Sequence, residues 1–224
     1  NGYYGCPYCK DRGTHKCHRH LYLPAEPHIA KEPSDIDAWA RKAEEILKPV
    51  FGVKGFSMLM KYITIHHVPI DYLHAILQGI TKQFLECWIN SDYSEHRFYL
   101  GNNVNDIDAY LLNIKPPHEF RSTPRPIKKN LFYWKSSEYR AWLLYYSLPI
   151  ILTYLPSDYV NHFALLISAM HILLGCNIST HDLSVAEECL FAFYAEVPEL
   201  YPDTMLTANL HTIVHLCQFV RLLG

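Results

Sequence analysis

The sequence predicts a mostly α-helical protein behind an irregular, cysteine-bearing N-terminal loop. Half of the 224 residues are hydrophobic, which is enough to bury a substantial core. Long segments after residue 60 repeat apolar residues at three- and four-residue spacing, as a single buried helix face requires. These observations favour a helical bundle. They also predict two domains, a Cys/His-rich region with a connecting helix over 1–60 and a helical domain over 61–224.

The first 60 residues carry the features that interrupt regular structure. The opening NGYYGCPYCK contains Cys6 and Cys9, and it is followed by LPAEPHIAKEPSD, whose prolines disfavour helix and strand. A charged helix is then predicted over SDIDAWARKAEEILKP, with Ser34 or Asp35 as its N-cap and its end before Pro49. The short stretch YITIHHV is the place where a strand is possible.

The remaining chain is predicted as five helical segments, separated after the first by a proline-rich loop over 113–130. Ser157 and Ser179 are plausible N-caps for two of them. The segments read PIDYLHAILQGITKQFLECWIN, SSEYRAWLLYYSLPIILTYL, SDYVNHFALLISAMHILLG, STHDLSVAEECLFAFYAEV and TANLHTIVHLCQFVRLLG.

Composition excludes several classes of protein. A formal charge of −2 with 14 histidines is not that of a free-standing nucleic-acid binder, so any DNA contact must come from a local basic patch or from other segments. Seven cysteines, an odd number, fit a closed disulfide framework poorly and favour a reducing compartment. No signal peptide is visible, and the apolar stretches are too short to be predicted as membrane spans.

Cys6 and Cys9 have the C-x-x-C spacing of a metal site, which usually needs four ligands. A local pair, Cys17 and His20, would complete a small knuckle-like site. Sequence spacing alone favours this local pair slightly. The alternative without a metal is that the two cysteines only flank a turn around Pro7.

A distant pair, His211 and His215, can complete the same site. The two histidines lie four residues apart on a predicted helix, so both imidazoles face one side and can hold one ion. A metal bound in this way would close a loop of almost the whole chain, and in principle a cross-link that closes a long loop stabilises most.

Several segments, in order along the chain, resemble the transposases of the CACTA (En/Spm-like) superfamily. Together they cover nearly the whole sequence: NGYYGCPYC, GVKGFSMLM, VPIDYLHAILQGITKQFLECWI, NIKPPHEFRSTPRPI, WKSSEYRAWLLYYSLPIILTYLPSDYVNHFALLISAMHILL and DLSVAEECLFAFYAEVPELYPDTMLTANLHTIVHL.

The resemblance implies a cut-and-paste DNA transposase with an RNase H-like domain and an Asp-Asp-Glu triad that holds Mg²⁺ or Mn²⁺. The second Asp is expected before residue 1 and the Glu after residue 224. The chain would then be an internal fragment that supplies a structural Zn²⁺ site and the helical insertion domain that shapes the DNA channel, inactive alone. DNA transposon ends, homo-oligomerisation, a nuclear location and no membrane contact follow from the same resemblance. The alternative is a non-catalytic, zinc-stabilised helical interaction module from a decayed or domesticated transposon.

The resemblance also assigns individual residues. DYLH matches a signature found after the second catalytic Asp, which makes Asp71 and His74 candidates beside the active site and outside the triad. The related recombinase that rearranges antigen-receptor genes is similar in pairing a CxxC with two histidines. This likeness favours Cys6, Cys9, His211 and His215 as the four metal ligands.

Positive charge concentrates in and beside the proline-rich loop. We predict phosphate contacts for it, with a merely solvated loop as the alternative, and the cations are Lys115, Arg121, Arg125, Lys128, Lys129 and Lys135. Trp134, Tyr139, Trp142, Tyr145 and Tyr146 follow, where helical spacing favours core packing over a base-stacking surface.

Overall fold

The computed structural model describes residues 2–16, 18–24, 28–118, 120 and 123–223, and it is mostly helical, as predicted. The chain divides into two units, Asn1–Asp71 with Tyr194–Gly224, and Tyr72–Phe193. This division differs from the predicted ranges of 1–60 and 61–224, because the C-terminal segment belongs with the N-terminal residues. No helix of the described part is long and apolar enough to cross a membrane.

Most regular elements fall within the predicted helical segments, but the helix Val104–Asn113 was not predicted and the short helix Ile127–Asn130 lies inside the predicted proline-rich loop. The α-helices are α1 (Pro33–Ile46), α2 (Lys82–Ile89), α3 (Val104–Asn113), α4 (Ile127–Asn130), α5 (Ser136–Ala141), α6 (Ser147–Tyr154), α7 (Ser157–Leu173), α8 (Thr180–Leu200), α9 (Ala208–His211) and α10 (Leu216–Leu223). Two π-helical segments are Leu73–Thr81 and Trp142–Tyr146. Short 3₁₀ turns are Met58–Lys61, Ile65–His67, Ser91–Tyr93, Gly101–Asn103, Leu131–Tyr133, Asp203–Met205 and Thr212–His215.

The first unit contains a small hairpin that the sequence did not predict. β1 (Thr14–Lys16) pairs antiparallel with β2 (Arg19–Leu21), with Thr14 opposite Leu21. The possible strand in YITIHHV is instead the 3₁₀ turn Ile65–His67.

Helix α1 begins earlier than its predicted caps. Glu32 is the N-cap, and its backbone N–H donates to the Asp35 carboxylate at 3.2 Å. The predicted caps Ser34 and Asp35 are wrong by two and three positions, because Pro33 occupies the first helical position, where its fixed φ and missing N–H suit a helix start.

The C-terminal part of the first unit forms one helical run that carries both histidines of HTIVH. The Thr207 hydroxyl accepts the Leu210 N–H at 3.3 Å and caps α9. The 3₁₀ turn Thr212–His215 then joins α9 to α10. The Tyr22 N–H, just after β2, donates to the Leu206 carbonyl at 2.9 Å, so backbone bonding joins the hairpin to this run.

The second unit has an aromatic core made by α2, α7 and the first part of α8. The rings of Trp88 and Phe163 meet edge to face at 4.8 Å, and those of Phe84 and Phe193 lie 5.2 Å apart. His162 lies within this core with its ring stacked on Phe193 at 4.3 Å and its Nε2 2.8 Å from the Phe193 carbonyl. His162 is thus a buried, hydrogen-bonded core histidine.

The aromatic run after the proline-rich loop is mainly core, as predicted. Trp134, Tyr139, Trp142 and Tyr146 are buried, whereas Tyr145 is 46% exposed. Ser179 also caps α8 as predicted, since its hydroxyl accepts the Asp182 N–H at 3.0 Å.

Candidate metal centre

Cys6, Cys9, His211 and His215 come together in the first unit. Their donor atoms, two Sγ and two imidazole nitrogens, all lie within 4.8 Å of one another. Cys6 Sγ is 3.5 Å from His215 Nε2, and Cys9 Sγ is 3.2 Å from His211 Nε2. All four side chains are buried, with exposed fractions of 6% or less. The group can therefore hold a metal ion.

Comparison with protein-family models, curated proteins and solved structures gives no match. What the site can do therefore follows from its donor atoms and their surroundings.

Backbone hydrogen bonds to residues 29–31 hold the loop around Cys6 and Cys9 in place. Cys9 forms an antiparallel bridge with Ala30. The Lys10 N–H donates to the Ile29 carbonyl at 2.8 Å, and the Lys31 N–H donates to the Tyr8 carbonyl at 2.8 Å. These bonds restrict the backbone of the loop, and restricting a binding loop lowers the conformational entropy that it loses on binding.

Each sulfur accepts a backbone N–H from two residues further along. The Tyr8 N–H donates to Cys6 Sγ at 3.4 Å, and the Asp11 N–H donates to Cys9 Sγ. Such bonds favour the thiolate, which is the metal-binding form.

The two thiols ionise unequally in the absence of a cation. The hydrogen bond from the Cys9 thiol lowers the pKa of Cys6, and bonds from His211 and His215 lower it further. The pKa of Cys9 is raised by the same bond with Cys6 and by burial. One thiolate therefore forms readily and the second does not, because two adjacent negative charges repel each other. A divalent cation would remove that obstacle.

Tyr194 orients the imidazole of His211 through its Nδ1 atom. Its hydroxyl donates to the Tyr22 carbonyl at 2.7 Å and lies 3.2 Å from His211 Nδ1. Because the hydroxyl proton is used on the carbonyl, the hydroxyl oxygen accepts from Nδ1–H. This pattern assigns the tautomer that leaves the Nε2 lone pair facing the sulfurs.

Tyr22 packs against the same imidazole. Its ring stacks on His211 with centroids 4.9 Å apart, and its hydroxyl accepts the Gly5 N–H at 2.7 Å. The backbone of the cysteine loop and the histidine ring are thus positioned by one tyrosine. Tyr8 contributes in the same way to His215, with ring centroids 5.6 Å apart.

A buried lysine contributes positive charge next to the sulfurs. Lys31 is 3% exposed, and its Nζ donates to the Cys6 carbonyl at 2.6 Å and to the Phe51 carbonyl at 3.1 Å. Burial lowers the pKa of Lys31, whereas the neighbouring Cys6 and Cys9 raise it. The ammonium therefore offsets part of the negative charge of the cysteine pair.

Asp11 and His28 form a second, less buried group at the edge of the cluster. They are hydrogen-bonded to each other, and Asp11 Oδ2 lies 4.0 Å from His211 Nε2. The donor atoms of Asp11, His28 and His211 also lie within 4.8 Å of one another, close enough to hold a metal ion. No local spacing in the sequence signals the role of Asp11, His28, Tyr22 or Tyr194, and none of them was predicted as a site residue.

Of the local ligand pair, Cys17 and His20, Cys17 lies outside the described residues. His20 in β2 packs edge to face with Tyr3 at 5.0 Å and with His15 at 5.2 Å. Among the described residues, no group of potential metal ligands includes His20.

Asp71 and His74, which the resemblance predicts beside an active site, both lie at the surface. Asp71 is exposed and is the last residue of the first unit's N-terminal segment. His74 is exposed on the π-helical segment of the second unit.

The predicted DNA-contacting cations lie in the second unit. Lys115, Lys128 and Lys129 are exposed, and Arg121 lies outside the described residues. Arg125 forms a two-pronged ion pair with Glu138, with both N–O distances at 2.6 Å. Its guanidinium is thus already engaged by a carboxylate.

We expect Tyr194→Phe to weaken metal binding about 10- to 100-fold, because Nδ1 of His211 loses the acceptor that orients its ring. Zinc affinity can be measured by competition with a chromophoric chelator. Tyr139→Phe is a matched control, since it also removes a buried hydroxyl, one bonded to the Leu131 carbonyl at 3.1 Å. Equal affinities for both variants would contradict the orienting role.

Proposed function

We propose that Cys6, Cys9, His211 and His215 bind one structural Zn²⁺ ion, which cross-links the N-terminal loop to the C-terminal helical run. The buried cluster of two thiols and two imidazoles carries this proposal. Two sulfurs and two nitrogens are a common ligand set of structural zinc. Four protein ligands leave no position for a substrate, so the ion is structural.

The distances between donors support zinc. Zinc–sulfur bonds of about 2.3 Å and zinc–nitrogen bonds of about 2.0–2.1 Å in a tetrahedron separate neighbouring S and N atoms by about 3.5 Å. The corresponding distances here are 3.5 Å for Cys6 with His215 and 3.2 Å for Cys9 with His211. An ion could enter this cluster with small side-chain adjustments.

The cross-link would join residues that are 209 and 202 positions apart. A chain held at both ends loses much of its unfolded-state freedom, and zinc binding free energy adds directly to folding free energy when the unfolded chain has no site.

We further propose that this chain is part of a CACTA-like DNA transposase, in which it supplies the zinc site and a helical insertion domain. The order of the family-like segments supports this, as does the run of exposed lysines around the proline-rich loop. In this proposal the Asp-Asp-Glu acids, with Mg²⁺ or Mn²⁺, the transposon ends, a homo-oligomer and a nuclear location belong to the complete enzyme.

DNA binding by the zinc-loaded chain tests this proposal. We expect salt-dependent duplex binding, and we expect no nicking of supercoiled plasmid in Mg²⁺ or Mn²⁺. Nicking that a substitution within residues 1–224 abolishes would contradict the absence of the triad. Zinc binding without DNA binding would favour the non-catalytic interaction module.

The loop lysines provide a quantitative version of the same test. Replacing Lys128 and Lys129 together by Gln should flatten the salt dependence of duplex binding by about two ion equivalents and weaken all sequences alike. Lys42→Gln with Lys48→Gln, two exposed lysines of the first unit, is the matched control. An unchanged salt slope would remove these lysines from the DNA interface.

A further inference from the structure

The second unit contains a cavity of about 690 Å³ beside the proline-rich loop, within the ~300–1,000 Å³ range of small-molecule sites. Aromatic side chains form much of its wall, among them Trp134, Tyr145 and Tyr146. Tyr145 is 46% exposed, whereas the other two are buried. Tyr145 and the half-buried Phe120, whose ring meets that of Tyr145 edge to face at 5.2 Å, are thus the aromatic residues of the wall that a bound molecule can reach without displacing core side chains.

Two residues of the wall carry buried hydrogen-bond donors that have no acceptor among the described residues. The indole N–H of Trp134 and the hydroxyl of Tyr146 are buried without a hydrogen-bond partner there. Leaving buried donors unpaired costs free energy. Because neither atom has accessible surface, an acceptor of a ligand could reach them only after the wall rearranges.

The charge of the cavity points to an anion. Arg125, Lys135 and Arg140 line it, and the described lining has one carboxylate, that of Glu138. The Arg125 guanidinium and Glu138 neutralise each other through their ion pair. Lys135 and Arg140 are exposed and in no ion pair among the described residues. However, Arg140 interacts with the Tyr72 hydroxyl, and Lys135 lies near the Glu138 carboxylate. Two cations are therefore available next to an aromatic wall.

We propose that this cavity binds one unpaired nucleotide of DNA, with the base against the aromatic wall and the phosphate at Lys135 and Arg140. Aromatic side chains stack on any base, and lysine and arginine bind the backbone phosphates. Oligothymidylate is a suitable probe, because thymine stacks on aromatic side chains as any base does. The choice of a nucleotide over another aromatic anion rests on the proposed function. The inference that the cavity suits an aromatic anion does not depend on that function.

The test compares a fluorescein-labelled oligothymidylate with a duplex of the same length by fluorescence anisotropy. The zinc-loaded wild-type chain should bind the single strand more tightly than the duplex. Tyr145→Ala should weaken single-strand binding about tenfold and leave duplex binding unchanged, since stacking on an aromatic residue contributes about 1–3 kcal/mol per base. Phe132→Ala is the matched control, because this exposed aromatic residue does not line the cavity.

The cations are tested in the same assay. Arg140→Gln and Lys135→Gln should each weaken single-strand binding and lower its salt slope by about 0.7. Lys82→Gln, at a half-buried position that pairs with Glu86 at 3.6 Å and does not line the cavity, should do neither. Photo-cross-linking of a 5-iodouracil strand should label Trp134, Tyr145 or Tyr146.

Two results would overturn the nucleotide site, namely unchanged single-strand affinity in Tyr145→Ala, or cross-links confined to other residues. They leave the proposed function intact if the loop lysines still bind duplex. Conversely, cavity-dependent binding of thymidylate without any duplex binding at Lys128 and Lys129 would support the site and count against the transposase proposal.

Discussion

Replacing Cys9 or His211 by alanine is expected to reduce bound zinc from about one equivalent per chain to almost none, with a large fall in thermal stability. Either change removes a buried ligand, and three remaining ligands hold a structural ion poorly. Zinc-finger peptides bind with about 10–16 kcal/mol, so a loss of several kcal/mol is expected. Metal analysis of purified protein and thermal unfolding provide the measurement.

Matched controls separate this effect from general damage. Cys176→Ala and His181→Ala change the same residue types at exposed positions and should retain both zinc and stability. Cys17→Ala should also retain zinc. Hydrogen exchange should show that lost protection after His211→Ala concentrates in residues 1–71 and 194–224. Full zinc retention in Cys9→Ala, or zinc loss in Cys17→Ala alone, would contradict the assigned ligands.

Acidification is expected to cost the second unit about 3 kcal/mol through His162. Burial lowers the pKa of this imidazole from 6.5 to about 4, against a smaller opposing effect of its bond to the Phe193 carbonyl. The unfolded chain therefore binds a proton that the folded chain does not between about pH 6.5 and pH 4. Stability from neutral His162 is present above pH 6.5 and is lost as the pH falls through this window.

His162→Phe tests this pH dependence, because it keeps an aromatic ring between Phe84 and Phe193 and removes the titrating group. We expect the variant to be less stable at pH 7, where it lacks the hydrogen bond, and the gap to wild type to shrink or reverse towards pH 4. Denaturant unfolding of both proteins across this range gives the difference, in which metal release cancels. A constant gap would show that His162 takes up its proton equally in both states.

The sequence predicts most of the longer helices because they have a repeating apolar face, whereas α3 was missed although Val104, Ile107 and Leu111 have the same spacing. Residues such as Phe84 and Trp88 recur at helical spacing, and both are fully buried. The three-residue strands β1 and β2 carry no alternating pattern, so nothing local marks the hairpin. Helix α1 begins before its predicted caps. The prediction gave more weight to the N-cap preference of Ser and Asp than to Pro33, which itself favours the first position of a helix.

The metal site was partly predictable for a similar reason. C-x-x-C and H-x-x-x-H spacings each place two donors on one side of a short element, so the pairs were visible in the sequence. That the pairs meet depends on tertiary contacts such as the Tyr22 to Leu206 backbone bond, which no spacing reveals. Tyr194 supports His211 from 17 residues away, and its role depends on the same packing.

X-ray absorption at the zinc edge most directly tests the claim that the two ends of the chain share one ion. For the zinc-loaded protein, we expect two sulfur neighbours at about 2.3 Å and two nitrogen neighbours at about 2.0–2.1 Å. Three sulfurs with one nitrogen would instead place the ion at Cys6, Cys9, Cys17 and His20, and a shell without sulfur would remove the site altogether.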